Sequence, residues 1–167
     1  MVNWLNSIIK AGSRIKAAIR KRATKEELAK SNYVSCCKGL VSKKEIASNY
    51  HTCPYCSKHF KVTPAERFGY LFDSGIYETF KTPIPKDDPL QFVAAKAYVD
   101  QLKSARKKTG LDCSMVVASG EINKIKCTAV ASAWDFMGAS IESAEGEAIL
   151  FAAMHAIENR QPLIIVA

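Results

Sequence analysis

The sequence predicts an α/β fold carried behind a small cysteine-rich module. Two runs with alternating apolar residues, 114–119 and 125–133, indicate a pair of strands joined by a tight turn. A turn of small residues then leads into an apolar helical segment, 141–159, and a β-branched run, 162–167. Strand, turn, helix and strand in this order are typical of a βαβ unit, so we expect a buried parallel strand in the last run.

Composition indicates the class of protein and the charge of the partners that it favours. The 167 residues are 48% hydrophobic and 24% charged, which is typical of a globular chain and excludes a disordered or fibrous one. An excess of 24 Lys and Arg over 16 Asp and Glu gives a net charge of +8. This favours anionic partners such as nucleic acid or phosphorylated cofactors. No apolar run approaches the ~18–20 residues of a transmembrane segment, and we expect a cytoplasmic protein.

Residues 1–30 indicate a basic amphipathic helix followed by a linker. Trp4, Ile8, Ile15 and Ile19 recur at near-helical spacing, and lysines and arginines supply the opposite face. Such a helix lies on an anionic membrane surface or, more commonly, docks against a protein core. We favour docking against a core.

Residues 31–62 indicate a zinc-ribbon-like module. A ribbon needs two thiolate pairs on tight turns, and Cys53 and Cys56 supply one pair with Cys-x-x-Cys spacing. The other pair is the adjacent Cys36 and Cys37, because Val34 occupies the position that a first ligand would need. This first pair is therefore degenerate.

Three outcomes stay open for this module. Zinc is held by all four cysteines in distorted geometry, or by three cysteines with His51 or His59, or the ribbon has lost its metal. A redox role for the Cys-x-x-Cys pair is disfavoured because no βαβ pattern flanks it. Cys113 and Cys127 are interpreted as small core residues of the hairpin.

The segment from 63 onward carries the remaining elements. Thr63 is predicted to cap a helix that begins at Pro64 and stops at the turn 73–75. A proline-punctuated connector follows, and then a helix over about 92–107. The segment 141–159 is apolar on nearly every side, which predicts a buried helix. His155 in that helix is interpreted as a satisfied core histidine rather than a catalyst.

A series of short motifs follows one another along the chain. They are Asn3-Trp4-Leu5, Cys53-Pro54-Tyr55-Cys56-Ser57-Lys58-His59, Ala65-Glu66-Arg67, Leu71-Phe72-Asp73-Ser74-Gly75, Asp88-Pro89-Leu90, Lys108-Thr109-Gly110, Phe136-Met137-Gly138-Ala139-Ser140, Gly146-Glu147 and Pro162-Leu163-Ile164. In order and spacing they resemble the bacterial acetyl-CoA carboxylase carboxyltransferase beta subunit family. The resemblance covers the whole chain, and so many ordered motifs are highly specific.

The resemblance implies a fold and an activity. Residues 63–167 would be the amino-terminal part of a CoA carboxyltransferase domain, an incomplete crotonase/ClpP-like spiral core of ββα units. With the carboxyltransferase alpha subunit, the family moves a carboxyl group from carboxybiotin on the biotin carboxyl carrier protein to acetyl-CoA. The product is malonyl-CoA for fatty-acid biosynthesis. The family's next motif would begin just after Ala167, so we expect this chain alone to be inactive.

The resemblance also implies site residues. The backbone N–H groups of Gly138 and Ala139 would stabilise the enolate oxygen, since a glycine turn at a helix N-terminus supplies such donors. Lys108, Ser140 and Gly146 would bind coenzyme A. Zinc would be held by the four cysteines of the ribbon.

Three departures from the family pattern weaken that site. Ala139 and Glu142 stand where the family has glycine, and Gln101 stands where it tends to have arginine. A carboxylate in the first helical turn would repel an enolate or a phosphate brought there. Two alternatives stay open. The basic amino-terminal segment beside the ribbon suggests a zinc-ribbon nucleic-acid-binding module, and Val34, Ala139 and Glu142 suggest a degenerate, non-catalytic partner subunit.

Overall fold

A computed structural model describes residues 32–36 and 39–167, which form two compact units. The first unit ends at Phe60 and the second spans Lys61–Ala167. The predicted amphipathic helix of residues 1–30 lies outside the described residues, and so does Cys37.

The first unit is a hairpin followed by a short helix. Strands β1, Tyr33–Cys36, and β2, Gly39–Ser42, pair antiparallel, and helix α1, Lys43–Ser48, follows directly. The Oγ of Ser42 accepts the backbone N–H of Lys44 at 3.2 Å, so the last strand residue also caps the helix. A small core of Val41, Ile46 and Cys53 is buried beneath these elements.

The second unit is built on a four-stranded sheet. Its strands are β3, Tyr77–Phe80, β4, Met115–Ile122, β5, Ile125–Ser132, and β6, Leu163–Val166, in the spatial order β3-β4-β5-β6. Adjacent strands from β3 to β5 are antiparallel, whereas β6 is parallel to β5. The structure thus confirms the predicted hairpin, β4–β5, and the predicted parallel last strand, β6.

The β4–β5 turn is locked by a distant carboxylate. Asn123 and Lys124 have φ of 49° and 66°, as a two-residue turn of type I′ requires at both central positions. Asp73 accepts both of their backbone N–H groups, at 3.0 and 2.8 Å. The turn Asp73–Gly75 therefore also fixes the tip of the hairpin.

Two helices of the second unit differ in how well their first residues were predicted. Helix α2, Pro64–Leu71, has the predicted cap, because Thr63 and Glu66 form a reciprocal capping box. Helix α3, Tyr98–Thr109, begins six residues later than predicted. The predicted start near 92 is wrong because Val93 pairs with Ala97 in an isolated bridge, which holds this stretch out of the helical conformation.

The sheet buries an apolar cluster on each face. The cluster beneath α2 contains Phe68, Phe72, Ala118, Cys127, Ala129 and Ala131. The cluster beneath helix α4, Ser143–Glu158, contains Cys113, Met115, Val117, Val130, Ala148 and Ala152. The interpretation of Cys113 and Cys127 as core residues is confirmed.

The predicted all-round burial of α4 is wrong. Leu150 is 56% exposed, Met154 48% and Ile157 69%, because the sheet covers only one side of the helix within the described residues. Ile165 of β6 is 46% exposed, so the last strand is also less buried than predicted. In the described part of the chain, no helix has both the length and the apolarity needed to cross a membrane.

Two glycine substitutions test the packing on the α2 side. A Cβ on Gly120 of β4 would lie 2.6 Å from Cδ1 of Phe72 and 2.9 Å from the carbonyl oxygen of Ile76. We expect Gly120→Ala to lower the free energy of unfolding by about 1–3 kcal/mol, because the core must move to admit the methyl group. The measurement is chemical denaturation followed by circular dichroism.

Gly69→Ala is the matched control. A Cβ on Gly69 of α2 would meet no atom within 4 Å, so the change gains helix propensity, up to about 1 kcal/mol, without a clash. Equal effects of the two substitutions would contradict the packing described for Gly120.

Candidate metal centre and coenzyme site

Three thiols converge in the first unit. Cys36 comes from β1, and Cys53 and Cys56 come from a tight turn in which the Ser57 N–H donates to the Cys53 carbonyl at 3.0 Å. The Cys53 N–H in turn donates to the Lys58 carbonyl at 2.8 Å. The three sulfur atoms lie within 4.8 Å of one another, and those of Cys36 and Cys56 are 3.3 Å apart. Such a cluster can hold a metal ion.

The cluster supplies three of the four ligands of a structural tetrahedral site. Cys37, the fourth predicted ligand, lies outside the described residues. Neither histidine offered as an alternative belongs to the cluster, and the Nδ1 of His59 lies 3.2 Å from the Oγ1 of Thr52. Thiolates suit zinc and other soft ions, so the donor chemistry fits the predicted group.

Val34 has a packing role in this unit. It lies two residues before Cys36 on the same face of β1. Its side chain packs against the buried core of Val41, Ile46 and Cys53. The residue that stands in place of a ligand is thus part of the core beneath the thiols.

The predicted enolate-stabilising turn has a different geometry from the one expected. Residues Met137–Ala139 form a single turn of 3-10 helix, with φ of 73° at Gly138 and 60° at Ala139. The backbone N–H of Ala139 donates to the carbonyl of Phe136 at 2.9 Å. That donor is therefore committed inside the turn and is not offered to an oxyanion in this conformation. The turn also stands apart from the helix, since α4 starts only at Ser143.

Ser140 stabilises this turn. Its hydroxyl lies 3.3 Å from both the Met137 carbonyl and a carboxylate oxygen of Glu142. Its own carbonyl accepts the Ser114 hydroxyl at 3.1 Å. The other predicted coenzyme ligand of this region, Gly146, lies exposed on α4. Neither Ser140 nor Gly146 lines the two clefts described below.

The N-terminus of α4 is occupied by its own carboxylates. Glu142 is the cap residue rather than a member of the first helical turn, and it forms a reciprocal capping box with Glu145. Glu145 is only 3% exposed, and its second oxygen accepts the Ser114 N–H at 2.8 Å. Burial and the neighbouring charge of Glu145 raise the pKa of Glu142. These groups disfavour an anion at this helix end.

Glu145 was not predicted as a residue of this site, although one local signal in the sequence indicates its capping role. Two carboxylates three residues apart before an apolar run match the capping-box spacing. The bond to Ser114 has no local signal because 31 residues separate the partners.

Lys108 lies on the rim of the larger of two clefts in the second unit. This cleft encloses about 820 Å³. The Nζ atoms of Lys61 and Lys108 each lie 3.9 Å from Oδ1 of Asp135, and the Lys61 Nζ lies 5.2 Å from the ring centroid of Trp134. The floor is apolar and contains Phe68, Tyr77, Phe80, Met115 and Val116. The lining has three lysines, Lys61, Lys81 and Lys108, against the two carboxylates of Asp112 and Asp135. This excess of positive charge, with Trp134 and the apolar floor, suits an anionic ligand with an apolar portion.

The smaller cleft has an acidic lining. It encloses about 340 Å³ and is lined by five carboxylate residues. Arg106 pairs with one of them, Asp87, through two bonds of 2.6 and 2.8 Å, and this hydrogen bonding lowers the pKa of Asp87. The other carboxylates are Asp88, Asp112, Glu142 and Glu145. Neither cleft is lined by Gly138, Ala139, Ser140 or Gly146.

No family model matches this chain. Curated relatives, however, match almost its whole length. A protein of Pelagibacter ubique (strain HTCC1062), named acetyl-coenzyme A carboxylase carboxyl transferase subunit beta, is 49% identical over 164 residues, covering 98% of this chain and 53% of the relative. A protein of the same name from Dinoroseobacter shibae (strain DSM 16493 / NCIMB 14021 / DFL 12) is 34% identical over 166 residues, covering 98% and 50%.

A third relative combines two subunits in its name. The Parafrankia sp. (strain EAN1pec) protein named acetyl-coenzyme A carboxylase carboxyl transferase subunits beta/alpha is 34% identical over 152 residues. That match covers 90% of this chain and 25% of the relative.

These relatives define the class as carboxyl transferase subunits. More particularly, the chain is a homologue of the acetyl-coenzyme A carboxylase carboxyl transferase beta subunits and matches their amino-terminal part. The predicted resemblance is confirmed. The chain spans about half the length of the beta-subunit relatives described above.

Ala139→Gly tests the strain in the turn. A non-glycine residue at φ of 60° is disfavoured by its Cβ, so we expect the substitution to raise the free energy of unfolding by about 0.5–1 kcal/mol. Ala65→Gly, at an ordinary position in α2, should instead lower it by about 1 kcal/mol. Denaturant titration measures both changes, and destabilisation by Ala139→Gly would refute a strained turn.

Proposed function

We propose that this chain supplies the amino-terminal part of a carboxyltransferase beta subunit of acetyl-CoA carboxylase. With the alpha subunit, the assembled enzyme transfers a carboxyl group from carboxybiotin on the biotin carboxyl carrier protein to acetyl-CoA, giving malonyl-CoA for fatty-acid biosynthesis. The observation that carries the proposal is the 49% identity maintained over 98% of the chain. We expect this reaction in the cytoplasm.

The topology supports a crotonase/ClpP-like spiral for the second unit. The β4–β5 hairpin, α4 and the parallel strand β6 follow one another as a ββα unit and the first strand of its continuation. Crossover connections between parallel strands are right-handed in nearly all proteins, and such a connection would place successive units side by side. The whole spiral goes beyond the described strands and stays a proposal.

Zinc fits the cluster of Cys36, Cys53 and Cys56. When bound, it would cross-link β1 to the turn that holds the other two thiols, which stabilises a unit with a very small core. Cys37 remains the proposed fourth ligand. The role is structural, because nothing in the proposed reaction requires a metal in this unit.

We place the anionic part of coenzyme A in the larger cleft. Lys108 and Lys61 supply cations at its rim, Trp134 supplies an aromatic face, and the apolar floor suits the uncharged part of the ligand. This placement keeps the predicted role of Lys108. The roles of Ser140 and Gly146 in coenzyme binding stay predictions that the two clefts do not support.

In the proposed transfer, the acetyl thioester loses an α proton to form an enolate, whose α carbon bonds to the carboxyl carbon of carboxybiotin. The C–N bond to biotin breaks, and the biotin nitrogen leaves and takes up a proton. Gly138 stays the proposed donor to the enolate oxygen, whereas Ala139 is occupied in the turn. We do not assign His155 as a base. Its Nδ1 lies 3.0 Å from the Thr128 hydroxyl and its ring packs 4.6 Å from that of Phe80, which supports the prediction of a hydrogen-bonded structural histidine.

Nucleic-acid binding has no specific support among the described residues. The basic segment that suggested it, residues 1–30, lies outside them. It stays an alternative prediction, as does a non-catalytic partner role.

Metal content tests the ribbon. We expect the purified chain to hold one zinc ion, and Cys53→Ser to lose it, because the remaining described ligands are too few for a stable site. Inductively coupled plasma mass spectrometry gives the stoichiometry. Cys127→Ala is the control, since that thiol lies in the core of the other unit. Full zinc content in Cys53→Ser would rule out this centre.

Carboxyl transfer tests the function. We expect no malonyl-CoA from the chain and alpha subunit alone. A fusion of this chain to the remaining part of the Pelagibacter ubique relative should form it, given the alpha subunit and carboxylated carrier protein. In that fusion, Lys108→Ala should raise the KM for acetyl-CoA about ten-fold, as expected for loss of a charge-assisted contact.

Lys107→Ala is the matched control, because Lys107 is also exposed near the end of α3 but does not line the cleft. An assembled fusion that forms no malonyl-CoA would contradict the proposed function. Equal KM values in the two variants would contradict only the coenzyme placement.

A further inference from the structure

The carboxylate of Asp135 lies next to two lysines at the rim of the larger cleft. Its Oδ1 is 3.9 Å from the Nζ of Lys61 and 3.9 Å from the Nζ of Lys108. Lys61 precedes α2 and Lys108 lies in the last turn of α3, so one carboxylate contacts cations from two separate parts of the fold. A phosphate that approached these lysines would therefore meet an anion beside them.

These contacts do little to hold the lysines in place. A hydrogen bond between an ammonium and a carboxylate is about 2.7–2.9 Å long, and both distances are well beyond it. The side chains are also exposed, by 64% at Lys61, 66% at Lys108 and 58% at Asp135, and such pairs contribute little to stability. Lys61 has a further support, because its Nζ lies 5.2 Å from the ring centroid of Trp134. Asp135 therefore has little part in positioning the cations.

The position of Asp135 is fixed by its neighbours in the chain. Ala133 and Phe136 are both buried, and they pack in one apolar cluster with Leu102 of α3. The Ala133 N–H donates to the Ser114 carbonyl at 2.7 Å, and the Phe136 N–H donates to the Ala133 carbonyl at 3.0 Å. Because an aspartate side chain is short, its charge stays close to this anchored backbone. The negative charge is thus a fixed feature of the rim.

An anion bound by either lysine comes within reach of that charge. A phosphate oxygen in contact with a lysine Nζ would lie at most about 7 Å from the Asp135 carboxylate, given the 3.9 Å on the other side of the Nζ. This separation is shorter than the Debye length of about 8–10 Å at physiological salt. In a water-exposed site, repulsion over this distance weakens binding about three-fold for each unit of ligand charge.

We propose that Asp135 sets the affinity of the larger cleft by opposing the phosphates of the coenzyme. The inference rests on the proposed function, and it deepens the coenzyme placement by assigning a residue that acts against binding. The lining has three lysines and two carboxylates, so neutralising Asp135 raises its excess of positive charge from one to two. In the proposed transfer, acetyl-CoA and malonyl-CoA carry the same phosphates. Affinity that substrate and product share does not speed the transfer. Asp135 lowers that shared affinity.

Asp112, the other carboxylate of this lining, is less suited to the role. Its backbone carbonyl accepts the Nε–H of Arg106 at 3.1 Å, so its neighbouring cation is one that does not line the larger cleft. Asp112 also lines the smaller, acidic cleft. The role therefore falls on Asp135, which lies next to the cations that would bind the ligand.

The affinity for acetyl-CoA tests the proposal. Asp135→Asn removes the charge and keeps the shape of the side chain, and isothermal titration calorimetry gives the Kd. At low salt, we expect this variant to bind acetyl-CoA about three- to ten-fold more tightly than the unmodified chain, because a phosphate group carries between one and two charges. Asp135→Glu keeps the charge and should stay within about two-fold of the unmodified chain. Asp100→Asn, an equal change of net charge at an exposed position of α3 outside both clefts, should leave the Kd unchanged.

Salt separates charge repulsion from a change of structure. At about 1 M salt the Debye length falls to about 3 Å, which is shorter than the separation between ligand and carboxylate. The advantage of Asp135→Asn should therefore disappear. In the fusion to the remaining part of the Pelagibacter ubique relative, with alpha subunit and carboxylated carrier protein, the same variant should lower the KM for acetyl-CoA by a similar factor and leave kcat unchanged.

The contrary outcomes are distinct. Weaker binding by Asp135→Asn would overturn the proposal, because it would make Asp135 a support for the lysines. Equal Kd values, or an advantage that persists at high salt, would overturn it and leave the coenzyme placement intact. If neither protein binds acetyl-CoA, the coenzyme placement fails and the proposal fails with it. Tighter, salt-sensitive binding by the variant, together with an assembled fusion that forms no malonyl-CoA, would reject the proposed function alone.

Discussion

The buried carboxylate of Glu145 is the constraint on which the second unit depends. One of its oxygens accepts the Ser114 N–H at the entry to β4, and the other accepts the Glu142 N–H at the cap of α4. Removing a partner from such a buried pair of bonds leaves donors unsatisfied, at about 1–3 kcal/mol each. The carboxylate therefore fixes where α4 lies over the sheet, and with it which side of the helix faces outward.

That constraint also determines where an anion can bind. In the proposed reaction the coenzyme brings several negative charges, and helix N-termini are common sites for such groups. Here the carboxylates of Glu142 and Glu145 already lie at the N-terminus of α4, beside a cleft rich in carboxylates. The lysines around Asp135 and Trp134 offer the favourable potential instead. The proposed placement of coenzyme A follows from this electrostatic contrast.

Capping and turn patterns could be predicted from the sequence, whereas tertiary contacts could not. The Thr63 cap depends on residues within a few positions, and the local pattern also indicated the β4–β5 turn, although the distant Asp73 holds it as well. The one-sided burial of α4 depends on neighbours distant in sequence, and the late start of α3 depends on a local Val93–Ala97 bridge that no apolar spacing indicates. In the candidate site, the Cys53 and Cys56 turn was evident from spacing, whereas the grouping of Lys61, Trp134 and Asp135 arises only from folding.

The central claim is that this chain carries the proposed coenzyme cleft, and tryptophan fluorescence tests it most directly. In Trp4→Phe, Trp134 is the one remaining tryptophan of the chain and reports on the rim of the cleft. Titration with acetyl-CoA should change its emission saturably, with an affinity that falls as salt rises and falls again in Lys108→Ala. Emission that does not respond to acetyl-CoA would contradict the claim.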